Sequence, residues 1–124
     1  MRPPEPPADR PRRIGVVGHP RYAQFGEALA RLVSLARREG AELYFEDQLL
    51  EVESGAQPLT PECVPGLELL LTLGGDGTLL RGSREVAHER IPVLGINLGH
   101  LGFLTSAAPE EMERAVGMWF AGEY

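Results

Sequence analysis

Five consecutive residues, Gly74-Gly75-Asp76-Gly77-Thr78, hold the strongest suggestion of chemistry in the chain. They follow an apolar run and precede a helical pattern, so three glycines and one carboxylate stand at a strand-to-helix junction. Glycine costs conformational entropy on folding, so something must need a bare backbone there. In such a turn glycines let the chain take positive φ and let a ligand approach the main chain. The helix that follows presents unpaired N–H groups and a partial positive charge. Together these suit a phosphate. The helix-terminus effect is worth about 0.3–1 kcal/mol when exposed and ~2 kcal/mol when partly buried. It can position a phosphate without holding a triphosphate tightly.

Asp76 needs its own explanation, because a carboxylate repels phosphate. One reading has it share a divalent cation with phosphate oxygens, as Mg²⁺ prefers. The other has it accept the proton of an attacking hydroxyl. An isolated Asp-Gly is more simply a helix cap or turn pair. The full pentapeptide shifts the balance: at ordinary residue frequencies it arises by chance in about one chain of this length in 10⁴. It is not a P-loop, which ends in Gly-Lys-Ser/Thr, and no G-x-G-x-x-G dinucleotide fingerprint is present. A second glycine-punctuated turn, Asn97-Leu98-Gly99-His100-Leu101-Gly102-Phe103-Leu104, follows one helix and one strand later.

Other chemistry is sparse. His19, His88 and His100 are not spaced as metal ligands, and the lone Cys63, with no paired histidine motif, reads as a packing thiol. A net charge of −6 and scattered basic residues disfavour nucleic acid and acidic membrane as partners. No apolar run reaches the ~20 residues of a membrane span. The proline- and charge-rich residues 1–13 have no signal-peptide core, which makes a cytoplasmic location the default.

The elements that must position these residues can be read from periodicity. Residues 1–13 read as a disordered tail and 14–124 as one domain. Ile14–Gly18 has the profile of a buried strand. Phe25, Ala28, Leu29, Leu32, Val33 and Ala36 mark an amphipathic helix closed by Gly40. Strands are expected at 41–46, 67–73 and 91–96, and helices at about 78–90 and from Pro109 to Gly122. Residues 47–66 show no clean face. Alternating strands and helices predict an α/β fold, a Rossmann-like parallel sheet with helices on both faces. Both glycine clusters then fall on the carboxyl rim of the sheet, where such folds bind ligands.

GGDGT between a strand and a helix resembles the signature of the superfamily that joins NAD kinases, diacylglycerol and sphingosine kinases, and 6-phosphofructokinases. LGINLGHLGFL (residues 94–104) is similar to the NAD kinase pattern Gly-Ile/Val-Asn-x-Gly-x-Leu-Gly-Phe-Leu at every fixed position. The Pro-Leu-Gly-Thr-x-Asn stretch of the lipid kinases is absent. The resemblance covers about residues 14–124. It implies transfer of the terminal phosphoryl group of ATP, or of polyphosphate, to the 2′-hydroxyl of the adenosine ribose of NAD. It implies Mg²⁺ or another divalent cation, and assembly as a homo-oligomer.

By the same resemblance Asp76 is the catalytic base and Gly74, Gly75, Gly77 and Thr78 form the nucleotide corner. Gly77 leaves room for the ligand, Arg81 is a further NAD contact, and Asn97 and Phe103 shape the pocket. Family members continue into a β-rich domain with an Asn-Glu or Asn-Asp pair, which this sequence lacks. The chain is therefore expected to end before that domain. Two alternatives stand beside the NAD kinase reading: a truncated, non-catalytic nucleotide-binding domain, and a lipid or sugar kinase of the same superfamily.

Overall fold

Buried β-branched and leucine-rich runs form a five-stranded sheet in the computed structural model, which describes residues 11–98 and 107–122. The strands are β1 (Arg13–Gly18), β2 (Glu42–Phe45), β3 (Gln57–Pro58), β4 (Leu69–Gly74) and β5 (Val93–Asn97). All are parallel, in the order β3-β2-β1-β4-β5. The helices are α1 (Phe25–Glu39), α2 (Asp47–Leu50), α3 (Asp76–Glu85) and α4 (Met112–Phe120). The Rossmann-like α/β arrangement expected from the sequence is the one observed.

Side chains alternate across the strands. Ile14, Val16, Leu69, Leu71, Leu73 and Ile96 face one layer, with the apolar stripes of α1 and α4. Val17 and Leu70 face the other with Leu67 and Val86, beneath α3. Helices thus cover both faces. Interior strand β4, between β1 and β5, is buried along its whole length, which explains why its sequence is continuously apolar rather than alternating. Helix α1 ends where expected, at Gly40, whose φ of 70° is the left-handed cap conformation that favours glycine.

Boundaries moved for local reasons. β1 opens at Arg13, one residue into the expected tail, because the Arg12 carbonyl accepts a hydrogen bond from Glu42 N–H at 2.8 Å. Arg12 itself stacks on Trp119 of α4, 4.9 Å from the ring centroid. α3 stops at Glu85 rather than near Arg90, since Val86 turns inward to pack with Val17, Leu67 and Leu70. β4 and β5 each start two residues later than expected: Leu67 N–H is taken by the Val64 carbonyl, and Pro92 has no N–H to give. The unreadable stretch 47–66 holds the single turn α2, the two-residue β3 and a 3₁₀ turn at Val64–Gly66. No helix among the described residues is long and apolar enough to cross a membrane.

Two contacts set helix placement and can be tested. α3 lies close to the sheet at Gly82, where a Cβ would stand 2.6 Å from Thr72 Cγ2 and 3.1 Å from Leu70 Cδ2 and Val17 Cγ2. Gly82→Ala should lower stability by about 1–3 kcal/mol in urea titration, because three buried neighbours must give way. Between α1 and α4, Arg31 pairs with Glu113 and also donates to the Pro109 carbonyl at 3.0 Å. The hydrogen bond from Arg31 holds the Glu113 carboxyl below its usual value of 4.5. A depressed folded pKa gives stability that is present above the unfolded value and lost as pH falls through the folded one. The urea midpoint of Glu113→Gln should therefore lie below wild type at pH 7. The gap should close as pH falls below 4.5.

Candidate functional site

The chain runs outward from β1 to β2 and β3, then returns to lay β4 and β5 on the other side of β1. The direction of winding reverses between β1 and β4, and in open α/β sheets the crevice at that point takes ligands. Its walls are the carboxyl ends of the two strands. His19 N–H donates to the Leu73 carbonyl at 3.0 Å, which keeps the β1 exit beside the β4 exit. On the other flank Gly74 is the register partner of Asn97, and Leu98 N–H donates to the Gly74 carbonyl at 2.9 Å. The first glycine corner and the start of the second are therefore neighbours on one rim. Gly99, His100, Phe103 and Leu104 lie outside the described residues.

At the corner Gly75 caps α3 and Asp76 is its first residue, half-buried, with Gly77 exposed and Thr78 buried. Gly74, Gly75 and Gly77 do not use the positive φ that glycine permits. Gly74 and Gly75 are bare for reasons of space. A Cβ on Gly74 would stand 2.4 Å from Thr78 Oγ1 and 2.9 Å from its Cβ, so Thr78 folds back beneath the strand end. A Cβ on Gly75 would stand 2.8 Å from the Tyr22 hydroxyl. A Cβ on Gly77 would meet nothing within 4 Å, so that flank is open.

Gly74, Gly75, Asp76, Gly95 and Asn97 line a shallow recess on the rim, too tight as it stands for a water-sized group. It offers one carboxylate, Asp76. No group of three or more His, Cys, Asp or Glu able to hold a metal ion is found among the described residues.

Arg81 does not line this recess. Its Nη1 pairs with Glu46 Oε2, and its Nη2 donates to Glu46 Oε1 and to the Gly18 carbonyl, both at 3.2 Å. Glu85 Oε1 lies 3.5 Å from Nη1. The bond to Glu46 raises the pKa of the guanidinium further, so it is charged throughout. Burial, then the charge of Glu46, pushes the Glu85 carboxyl up.

Three residues at the rim escaped sequence reasoning. Glu46 sits just past β2, and an acid at that place in a dinucleotide-binding fold is a usable signal. Tyr22 and His19, ring centroids 5.8 Å apart and perpendicular, wall the β1 side, and no spacing rule marked them. Cys63, as expected, packs: it is half-buried with its Sγ 3.1 Å from Thr60 Oγ1.

Comparison with known proteins agrees with this geometry. The family model of the ATP-NAD kinase N-terminal domain matches residues 14–124. The chain is 41% identical over 112 residues to an NAD kinase of Gemmatimonas aurantiaca, covering 90% of this chain and 38% of the relative. It is 36% identical over 116 residues to an NAD kinase of Pseudomonas putida, covering 91% and 39%. The yeast NADH kinase complexed with NADH superposes with a TM-score of 0.74 at 20% identity, over 91% of this chain and 39% of that one. An Archaeoglobus fulgidus NAD kinase in complex with ATP gives 0.60 at 24% identity, over 86% and 36%. The chain thus spans under two-fifths of the length of these relatives. Both glycine corners, their common rim and a family match over nearly the whole fold lead to one conclusion: the chain belongs to the ATP-NAD kinase family, in the part that forms its N-terminal domain.

Proposed function

We propose that this chain supplies the phosphoryl-transfer corner of an enzyme that converts NAD to NADP, with ATP or polyphosphate as donor. The observation that carries the reading is the placement of Asp76. A half-buried carboxylate opens α3 beside Asn97, at the switch point of the sheet, in a chain of the NAD kinase family. The Asp76 carboxylate orients the 2′-hydroxyl of the adenosine ribose and takes its proton as the oxygen–phosphorus bond forms. The bond from the terminal phosphorus to the bridging oxygen breaks, and the shortened donor leaves with that oxygen. Gly74, Gly75, Gly77 and Thr78 keep the corner low enough for the ligand to reach the first N–H groups of α3. Asn97 borders it, and Arg81 adds a positive charge at its flank.

As the one carboxylate among the described residues lining the recess, Asp76 fits a divalent cation carried in on the donor's phosphates better than a resident one. Such an ion neutralises the phosphate charge. The small recess favours a second reading, a nucleotide-binding module without turnover. Calorimetric titration of the 124-residue chain with NAD, set beside turnover of the protein from the complete reading frame, separates the two readings.

Two experiments test the site. In the protein from the complete reading frame, supplied with NAD, ATP and Mg²⁺, Asp76→Asn should cut kcat by about 10²–10⁴-fold with little change in KM. Undiminished NADP formation would remove Asp76 from the mechanism. The glycines should separate folding from binding. Gly74→Ala should lower the melting temperature, because Thr78 blocks the new methyl. Gly77→Ala should be neutral or stabilising by at most about 1 kcal/mol, as alanine suits a helix better. It should nevertheless weaken NAD binding, and unchanged affinity would show that the ligand does not approach Gly77.

A further inference from the structure

Three side chains converge on the carboxyl end of β1, and two of them, Glu46 and Gln48, have no part in the reaction described above. Glu46 Oε1 accepts Gly18 N–H at 3.1 Å, and Gln48 Nε2 donates to the Gly18 carbonyl at 3.1 Å. Arg81 donates to that same carbonyl and grips both oxygens of Glu46. Both backbone polar groups of Gly18 are thus held by side chains, and the end of β1, the end of β2 and helix α3 are tied at one point. The Glu46 side chain is only 17% exposed. A two-pronged guanidinium–carboxylate pair fixes direction as well as distance.

Helix α3 needs such a hold. Its buried residues are Thr78 and Gly82. Contacts through a glycine and a threonine set how near the helix lies to the sheet, but they resist rolling about its axis poorly. Arg81 adjoins Gly82 and reaches sideways to Glu46, where a roll is best resisted. Asp76 is five residues earlier on the same helix, about 7.5 Å along its axis. A roll at Arg81 is a displacement at Asp76, and a misplacement of about 1 Å can cost ~10²-fold in rate.

We infer that Glu46 is a positioning residue for phosphoryl transfer. Acting through Arg81, it fixes the orientation of α3 and hence where the Asp76 carboxylate stands relative to the acceptor hydroxyl. This rests on the reading of Asp76 given above, and it gives Arg81 a duty separate from contact with NAD.

The test compares wild type, Glu46→Gln, Arg81→Lys and the double variant in the protein from the complete reading frame. Glu46→Gln keeps the shape and loses the charge, and Arg81→Lys keeps the charge and loses the fork. Each single change should lower kcat at least about 10-fold while KM for NAD stays within about 3-fold. The double should be no more than about 3-fold worse than the worse single, because both remove one interaction. Calorimetric NAD affinity near wild type shows that the variants are folded. Should Glu46→Gln not fold, Glu46→Asp serves instead, with intermediate kcat expected and wild-type kcat counting against the inference.

A lower melting temperature with unchanged kcat overturns the inference, since a merely structural tie would do that. A raised KM in Arg81→Lys with Glu46→Gln kinetically silent overturns it too. A wild type that makes no NADP defeats the reading of the reaction and this one with it. An active wild type with an unaffected Glu46→Gln defeats this one alone.

Discussion

The corner after β4 is governed by how closely α3 must lie against the sheet. β4 lies inside the sheet between β1 and β5 and is buried on both faces, so the chain that leaves it has no room for side chains on its inner side. Thr78 tucks beneath Gly74, and Gly82 rests on Thr72 one turn later. Each glycine answers a distance rather than a dihedral angle. The low, featureless ridge that results brings the N-terminus of a helix to the rim with one acid standing on it. Burial of a leucine-rich strand, at about 1.5–3 kcal/mol per fully buried side chain, outweighs the entropy that these glycines lose.

Charge at the rim is divided between two places. Asp76 lines the recess at the positive end of α3, where a phosphate is also welcome. Glu46 and Glu85 stand to the side and share Arg81. That arrangement keeps two carboxylates away from the N-terminus of α3. It also places a permanent cation within the rim, held by hydrogen bonds to a strand-end carbonyl as well as to an acid.

Much of this was legible in the sequence, and the reasons are physical. The apolar stripe of α1 and its Gly40 cap, the continuous run of β4 and the glycine corner at Gly74–Thr78 each encode a single element through local spacing. The common rim followed from alternation of strands and helices. What was not legible depends on partners distant in sequence. Glu46 and Arg81 are 35 residues apart, and nothing near either announces the other. Tyr22 matters through its approach to Gly75, a contact made by the fold and not by spacing. Whether the corner glycines serve close packing or positive φ was not legible either, since both leave the same residue type behind. Residues 47–66 defied periodicity because they contain one helical turn, two strand residues and a 3₁₀ turn.

The margins of the sheet carry a consequence of their own. On one side the outermost strand is two residues long and ends in Pro58, which has no N–H with which to recruit another strand. On the other, β5 is shielded by its own chain: Asn97 N–H donates to the Ala107 carbonyl, and Ala107 N–H to that of Gly95, both at 2.8 Å. Neither border invites continuation of the ladder by a second molecule. Self-association through this domain is thereby steered toward helical and loop surfaces, and the sheet is protected from stacking edge to edge into aggregates.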